Sequence, residues 1–259
     1  MPAPDEAAPP RTIHPVMPDG WERYRPSVGR LTGFFAELLP HLVGQTFGSG
    51  GEVWVAVDGD AVDGLLLLQP GERSATVFAR EAAVAEALLA GRGPLGVFSE
   101  LPLGDRPFER LAILETELPR SDAVPHRFAH PVRLAAPPDR EVLLQLLREG
   151  LGAVDERWFR PLPPPPERGF VVERDGAIVG TAWVAVPGPV ARLHSLVVRP
   201  RYRGLGIGRD LWEARARWAE AHGATRLRVE IAEENDASRA LARAAGMREI
   251  GAIYRTRWV

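Results

Sequence analysis

Cysteine is absent from the 259-residue chain. That removes disulfides, thiolate nucleophiles and cysteine metal sites together. Lysine is absent too: all 32 basic residues are arginine, so no Schiff-base lysine and no phosphate-loop lysine is available. Long apolar runs are missing as well. The longest aliphatic run, residues 65–68, is far short of the ~20 residues that span a bilayer. The proline-rich start, MPAPDEAAPPRTIHPV, has no apolar core for a signal peptide. A cytoplasmic protein without membrane contact is the expectation. Tyrosine is scarce, at positions 24, 202 and 254.

What is present fits a globular protein: 45% of residues are apolar and 25% charged. The length admits one large domain or two smaller ones. Charge is uneven. Residues 1–125 hold 10 Arg against 18 acids, and residues 126–259 hold 22 against 16. A basic second half suits an anionic ligand such as a nucleotide, but is too mildly basic to indicate nucleic acid.

An internal repeat favours two domains. Without gaps, EVWVAVDGDAVDGLLLLQPG (52–71) aligns with GFVVERDGAIVGTAWVAVPG (169–188), bringing Asp58-Gly59 over Asp175-Gly176 and Pro70-Gly71 over Pro187-Gly188. Each copy reads as strand, tight Asp-Gly turn, strand, Pro-Gly turn. The expected organisation is a flexible tail (1–19), a first domain (20–126) and a second (127–259). Beyond the hairpin the copies diverge, because only the second continues into RGLGIG, residues 203–208.

That glycine stretch lies between an apolar strand (191–198) and a helix (207–222) with Ile207, Leu211, Ala214 and Trp218 on one face. A strand (224–231), a short helix (236–246) and a final strand (248–258) are expected after it. Unpaired amides at a helix amino terminus, with glycines that let a ligand approach, favour an anion. A nucleotide-triphosphate loop needs a lysine the chain lacks. A dinucleotide fingerprint needs glycine where Leu211 stands, although Glu230 mimics its ribose-binding acid. A purely structural glycine turn also remains open.

Arg203, Gly206 and Gly208 satisfy Arg-x-x-Gly-x-Gly, preceded by Val198 and Pro200. Asn235, Ser238, Leu241, Gly246 and Met247 follow in a second pattern. In both, residues 126–259 resemble the GNAT acyl-CoA acyltransferase superfamily, and residues 20–125 resemble a degraded copy of the same fold. The resemblance implies an α/β fold (α+β, mixed sheet) with two GNAT-like domains, each a mostly antiparallel central sheet flanked by helices. It implies acetyl-CoA as acyl donor and no metal. Pantetheine would pair with Leu196, Val197 and Val198. The pyrophosphate would meet Arg203, Gly204, Leu205, Gly206, Ile207 and Gly208, and Asn235 would touch the cofactor. The acceptor would be a small-molecule, amino-acid or peptide amine attacking directly in a ternary complex; a homodimer is allowed.

Two residues are candidates for the base such a reaction needs. His194 resembles the strand histidine of arylalkylamine acetyltransferases, and alternation puts Leu196 and Val198 on its face. Glu230 resembles the glutamate base of enzymes that acetylate ribosomal-protein amino termini; its alternative is an acid paired to a neighbouring arginine. Trp158 and Phe159 are candidate walls of the acceptor pocket. One departure stands out: the family's thiolate-protonating tyrosine falls at Ala242. That keeps a non-catalytic acyl-CoA-binding or regulatory role as the competing expectation.

Overall fold

The computed structural model describes residues 11–70, 74–119, 126–152 and 166–259. Trp158 and Phe159 lie outside the described residues. The chain forms two compact units, one running to Arg110 and including Ile253–Val259, the other Leu111–Ala252.

The first unit contains β1 (Thr12–Val16), α1 (Arg25–Val28), α2 (Leu39–Gly48), β2 (Glu52–Asp58), β3 (Ala61–Gln69), β4 (Ser74–Ala79), α3 (Ala82–Leu89) and β5 (Leu95–Ser99). It also holds the start of β6 (Phe108–Glu117). β1 to β4 pair antiparallel in sequence order, and β4 pairs β5 in parallel. Residues 12–16 were expected in a flexible tail. Instead they pair with residues 53–57, giving β2 a second neighbour. The core packs Val84, Leu88 and Leu89 of α3 against Leu66, Val77 and Val97 of the sheet. Each fully buried aliphatic side chain of this kind contributes about 1.5–3 kcal/mol.

The second unit contains the rest of β6, then β7 (Val132–Leu134), α4 (Arg140–Leu151), β8 (Glu167–Arg174), β9 (Ala177–Ala185), β10 (Val190–Val198), α5 (Ile207–Ala221), β11 (Arg226–Ala232), α6 (Asp236–Ala244) and the start of β12 (Arg248–Trp258). β7 to β10 pair antiparallel in order, and β10 pairs β11 in parallel. One sheet face carries α5, with Ile207, Leu211 and Ala216 against Val172, Val184, Leu193 and Leu227. The other carries α4, with Leu143, Leu146 and Leu147 against Val171, Ile178, Trp183 and Val197. Gly150 lies inside α4, where Val197 packs at the position its Cβ would occupy, and the helix ends at Gly152, φ 83°.

Each unit is closed by a strand from the opposite half of the sequence. Residues 111–117 of β6 run antiparallel to β11, and residues 254–258 of β12 run antiparallel to β5. The boundary expected between residues 126 and 127 therefore differs from the division into compact units. Long-range strand pairing leaves no local mark at either junction.

The repeat is visible in the register, one residue away from the ungapped alignment. Ala56 faces Gly64 before a bulge, and Val172 faces Gly180 before the same bulge. The turns are then Gly59-Asp60 and Asp175-Gly176. Both strand glycines lie under a helix. A Cβ on Gly64 would stand 2.7 Å from Leu88 Cδ1 and 2.8 Å from Val84 Cγ1; one on Gly180 would stand 2.8 Å from Ile207 Cγ2 and 3.2 Å from Leu211 Cδ1. The same close helix–sheet approach is built twice.

Candidate active site

In the second unit, the loop before α5 contains two left-handed glycines, Gly204 at φ 79° and Gly206 at φ 89°. A side chain at either would be strained although space is open around both. The amides of Arg209 and Asp210 each donate to the Gly206 carbonyl at 3.0 Å. Those of Gly204, Leu205, Gly206, Ile207 and Gly208 have no hydrogen-bond partner among the described residues. Five free amides at the positive end of a 15-residue helix suit a pyrophosphate. Arg203 turns back, its Nε donating to the Val198 carbonyl at 3.1 Å. Asn235 caps α6, with Oδ1 accepting from the Ser238 amide at 3.1 Å.

β10 and β11 pair only from Val190–Arg226 to Leu193–Val229, yet run on to Val198 and Ala232. The gap between them opens at His194 and Glu230. On its other edge β10 stays paired to β9 through a bulge between His194 and Val197, where Ser195 takes φ 53°. The bulge breaks the alternation assumed from sequence. Leu196 and Val198 pack toward α5, Val197 toward α4, and His194 faces with Trp183 on the α4 side. His194 therefore does not share a face with Leu196 and Val198.

Arg215 of α5 supports this bulge from beneath. Fully buried, it donates Nη1 to the carbonyls of Trp183 (3.2 Å) and His194 (3.3 Å). Burial pushes its guanidinium down to about 9, leaving it charged at neutral pH. Nearby, Asp210 accepts from His126 Nε2 (2.7 Å), His130 Nδ1 (2.8 Å) and the amides of Ala129 and His130. Burial acts to raise the Asp210 carboxyl, but these hydrogen bonds together outweigh it and hold it below its ordinary value. The cluster fastens residues 126–130 to the first turn of α5.

The two base candidates stand at the mouth of the gap and are engaged differently. His194 Nε2 lies 2.8 Å from Glu167 Oε1, and its Nδ1 lies 3.1 Å from Ser195 Oγ. A carboxylate only accepts, so Nε2 carries the proton in the neutral ring and Nδ1 keeps its lone pair toward Ser195. Glu230 receives Arg192 Nε on both oxygens, at 3.0 and 3.2 Å. The strand acid is thus paired to a neighbouring arginine. Glu167 was missed from sequence because PPPPERG reads as the end of a loop, whereas Glu167 opens β8 opposite Ala185.

Among its described residues, the first unit lacks each of these features. Its β4–β5 ladder runs unbroken from Ser74–Gly96 to Val77–Ser99, and β3–β4 has no bulge. In register, Thr76 stands for His194 and Phe98 for Glu230, and the two are paired. Aligning Val84 and Leu88 with Ile207 and Leu211 puts Glu81, the residue before α3, where Gly204 stands. A carboxylate there opposes a phosphate.

The acetyltransferase (GNAT) family matches residues 140–247, wholly within the second unit. The chain carries a GNAT domain. A mycothiol acetyltransferase of Frankia alni is 32% identical over 94 residues, 31% of this chain and 26% of that protein. A Bacillus subtilis protein named for ribosomal protein bS18 alanine N-acetylation is 25% identical over 97 residues, 38% of this chain and 64% of that protein. The chain thus spans under two thirds of either relative. Among solved structures, a tandem GNAT protein from the clavulanic acid biosynthesis pathway aligns with TM-score 0.62 at 18% identity, over 96% of this chain and 98% of that one. That likeness concerns the fold, and it supports two GNAT-like domains of mixed α/β architecture.

Within the GNAT domain, Ala242 is completely buried in the α5 core rather than lining the gap. Among the described residues no group of three His, Asp or Glu side chains is placed to hold a metal ion, and no helix is long and apolar enough to cross a membrane.

Proposed function

We propose that the second unit is an N-acetyltransferase, moving an acetyl group from acetyl-CoA to a primary amine by direct attack in a ternary complex. The reading rests on one conjunction: five unpartnered amides at the α5 amino terminus, and a sheet gap opening at a carboxylate-backed histidine. The residues suit acetyl-CoA, since the cradle is free of side chains at Gly204 and Gly206. Acetyl-CoA would supply the activated acyl group. Gly204, Leu205, Gly206, Ile207 and Gly208 would hold its pyrophosphate, residues 196–198 would pair with its pantetheine arm, and the Asn235 side-chain amide would face it.

The amine must lose a proton before or during attack. His194 Nδ1 takes it, directly or through Ser195 Oγ, while Glu167 stabilises the imidazolium that forms. The amine nitrogen bonds to the acyl carbon, the carbon–sulfur bond breaks, and the imidazolium returns a proton to the thiolate. This route needs no tyrosine, which accommodates Ala242. Glu230, held by Arg192, is a positioning and electrostatic group rather than the base.

Free-thiol release from acetyl-CoA across a panel of amines tests the reading. Amine-dependent release is expected, with sequential kinetics. Tight acetyl-CoA binding without turnover across the panel supports the non-catalytic alternative favoured by Ala242. Acetylation of Ser195 in the absence of amine replaces direct attack with a two-step route.

A further inference from the structure

One buried donor on the sheet face that carries His194 has no partner among the described residues. Arg228 of β11 is 3% exposed. Its Nε (2.9 Å) and Nη2 both donate to Glu115 Oε2 on β6, while Nη1 is buried without a hydrogen-bond partner among the described residues. A buried guanidinium N–H left unpaired is costly, and such orphans call for a functional explanation.

The register places this donor beside the gap. Arg228 faces Arg192 at the level just before His194 and Glu230, and side chains two residues apart share a sheet face. All four side chains therefore stand on the α4 face. The levels are about 6.6 Å apart and the strands about 4.8 Å, so a small molecule bridges them.

The carboxylates of this face nearest the gap are already paired. Glu167 is held by His194, Glu230 by Arg192, and Glu115 by Arg226 and Arg228. A second ammonium on an acceptor finds each of these carboxylates engaged. A carboxylate finds an unused guanidinium N–H, and it also offsets the positive charge that His194 gains when it takes the amine proton. Arginine presents a donor geometry matched to carboxylates.

We infer that the acceptor is an α-amino acid, its amine directed at His194 and Ser195 and its carboxylate received by Arg228 Nη1. The inference rests on the acetyltransferase reading above. It sets aside peptide amino termini and diamines, which lack a carboxylate on the amine-bearing carbon.

The test uses the full chain with acetyl-CoA, following thiol release with each α-amino acid, its carboxamide, the matching decarboxylated amine, and dipeptides. For the preferred side chain, kcat/KM for the free acid should exceed that for the carboxamide and the decarboxylated amine by at least ~100-fold, as for sites built around one polar group. In Arg228→Gln this preference should shrink below ~10-fold, through loss on the acid alone, with the KM for acetyl-CoA unchanged. Carboxamides, amines or dipeptides accepted as well as the free acid overturn the inference and leave the acetyltransferase reading standing. No thiol release with any amine overturns both. The ratio of acid to carboxamide in the unaltered protein decides the matter even where Arg228→Gln fails to fold.

Discussion

Replacing Gly180 with alanine tests the link between packing and cofactor binding. The new Cβ would stand 2.8 Å from Ile207 Cγ2, 3.2 Å from Leu211 Cδ1 and 3.5 Å from Val198 Cγ2. Carbon contacts settle at about 3.5–4.0 Å, so α5 must lift by a sizeable fraction of an ångström. Ile207 is β-branched and stiff, and turning it aside is not free. Overpacking of this kind costs about 1–3 kcal/mol. Removing a glycine from the unfolded chain returns about 0.4–1 kcal/mol. The net loss is about 0–2.6 kcal/mol, or up to roughly 10 °C in melting temperature at about 2–4 °C per kcal/mol. Gly64→Ala meets Leu88 at 2.7 Å and Val84 at 2.8 Å, a slightly tighter fit, and should cost at least as much. The two should differ in function. Ile207 directly follows the loop, so Gly180→Ala displaces the free amides and should weaken acetyl-CoA binding at least ~10-fold by calorimetry, whereas Gly64→Ala should leave it within ~2-fold. Equal weakening by both, or a Gly180→Ala protein unchanged in melting and binding, would refute the reasoning.

Other outcomes are expected at the site and in the fold. His194→Ala should lower kcat by about 10²–10⁴-fold at unchanged acetyl-CoA affinity, and Glu167→Gln by less, with an altered pH–rate profile. Loss in Glu230→Gln as large as in His194→Ala would reverse the assignment of the base. Gly206→Val, at φ 89°, should raise the KM for acetyl-CoA while sparing kcat at saturation. For acid stability, the folded Asp210 carboxyl lies below its ordinary value of 3.8. Its stabilisation is therefore complete above that value and is lost as pH falls toward the folded one. Melting temperatures from pH 7 to 2.5 should fall most steeply below about pH 4, less so in Asp210→Asn. Residues 126–259 alone lack the β11 partner 111–117, and should be poorly folded and inactive by circular dichroism and thiol release.

Local pattern made much of this architecture legible. The helix expected at 207–222 spans Ile207–Ala221, and the second hairpin turns at Asp175-Gly176 as expected, while the first turns one residue late, at Gly59-Asp60. Three things were beyond local pattern. The bulge at Ser195 reverses the facing of Leu196 and Val198, and nothing in LHSLVV announces a residue at positive φ. Glu167 and His194 meet only because β8 and β10 both flank β9. Arg215 is not among the apolar residues that mark the buried face of α5, yet it donates to two strand carbonyls in the core.

The crossed strands bear on how such a chain comes to exist. β5 waits for residues 254–258, and β11 needs residues 111–117, made more than a hundred positions earlier. During synthesis the leading unit cannot finish its sheet until residues 254–258 have emerged, so its β5 edge stays open to aggregation until then. Once made, the two halves stand or fall together. Because residues 111–117 complete the sheet beside the glycine loop, at least that stretch of the first half must be kept, however far the rest has diverged.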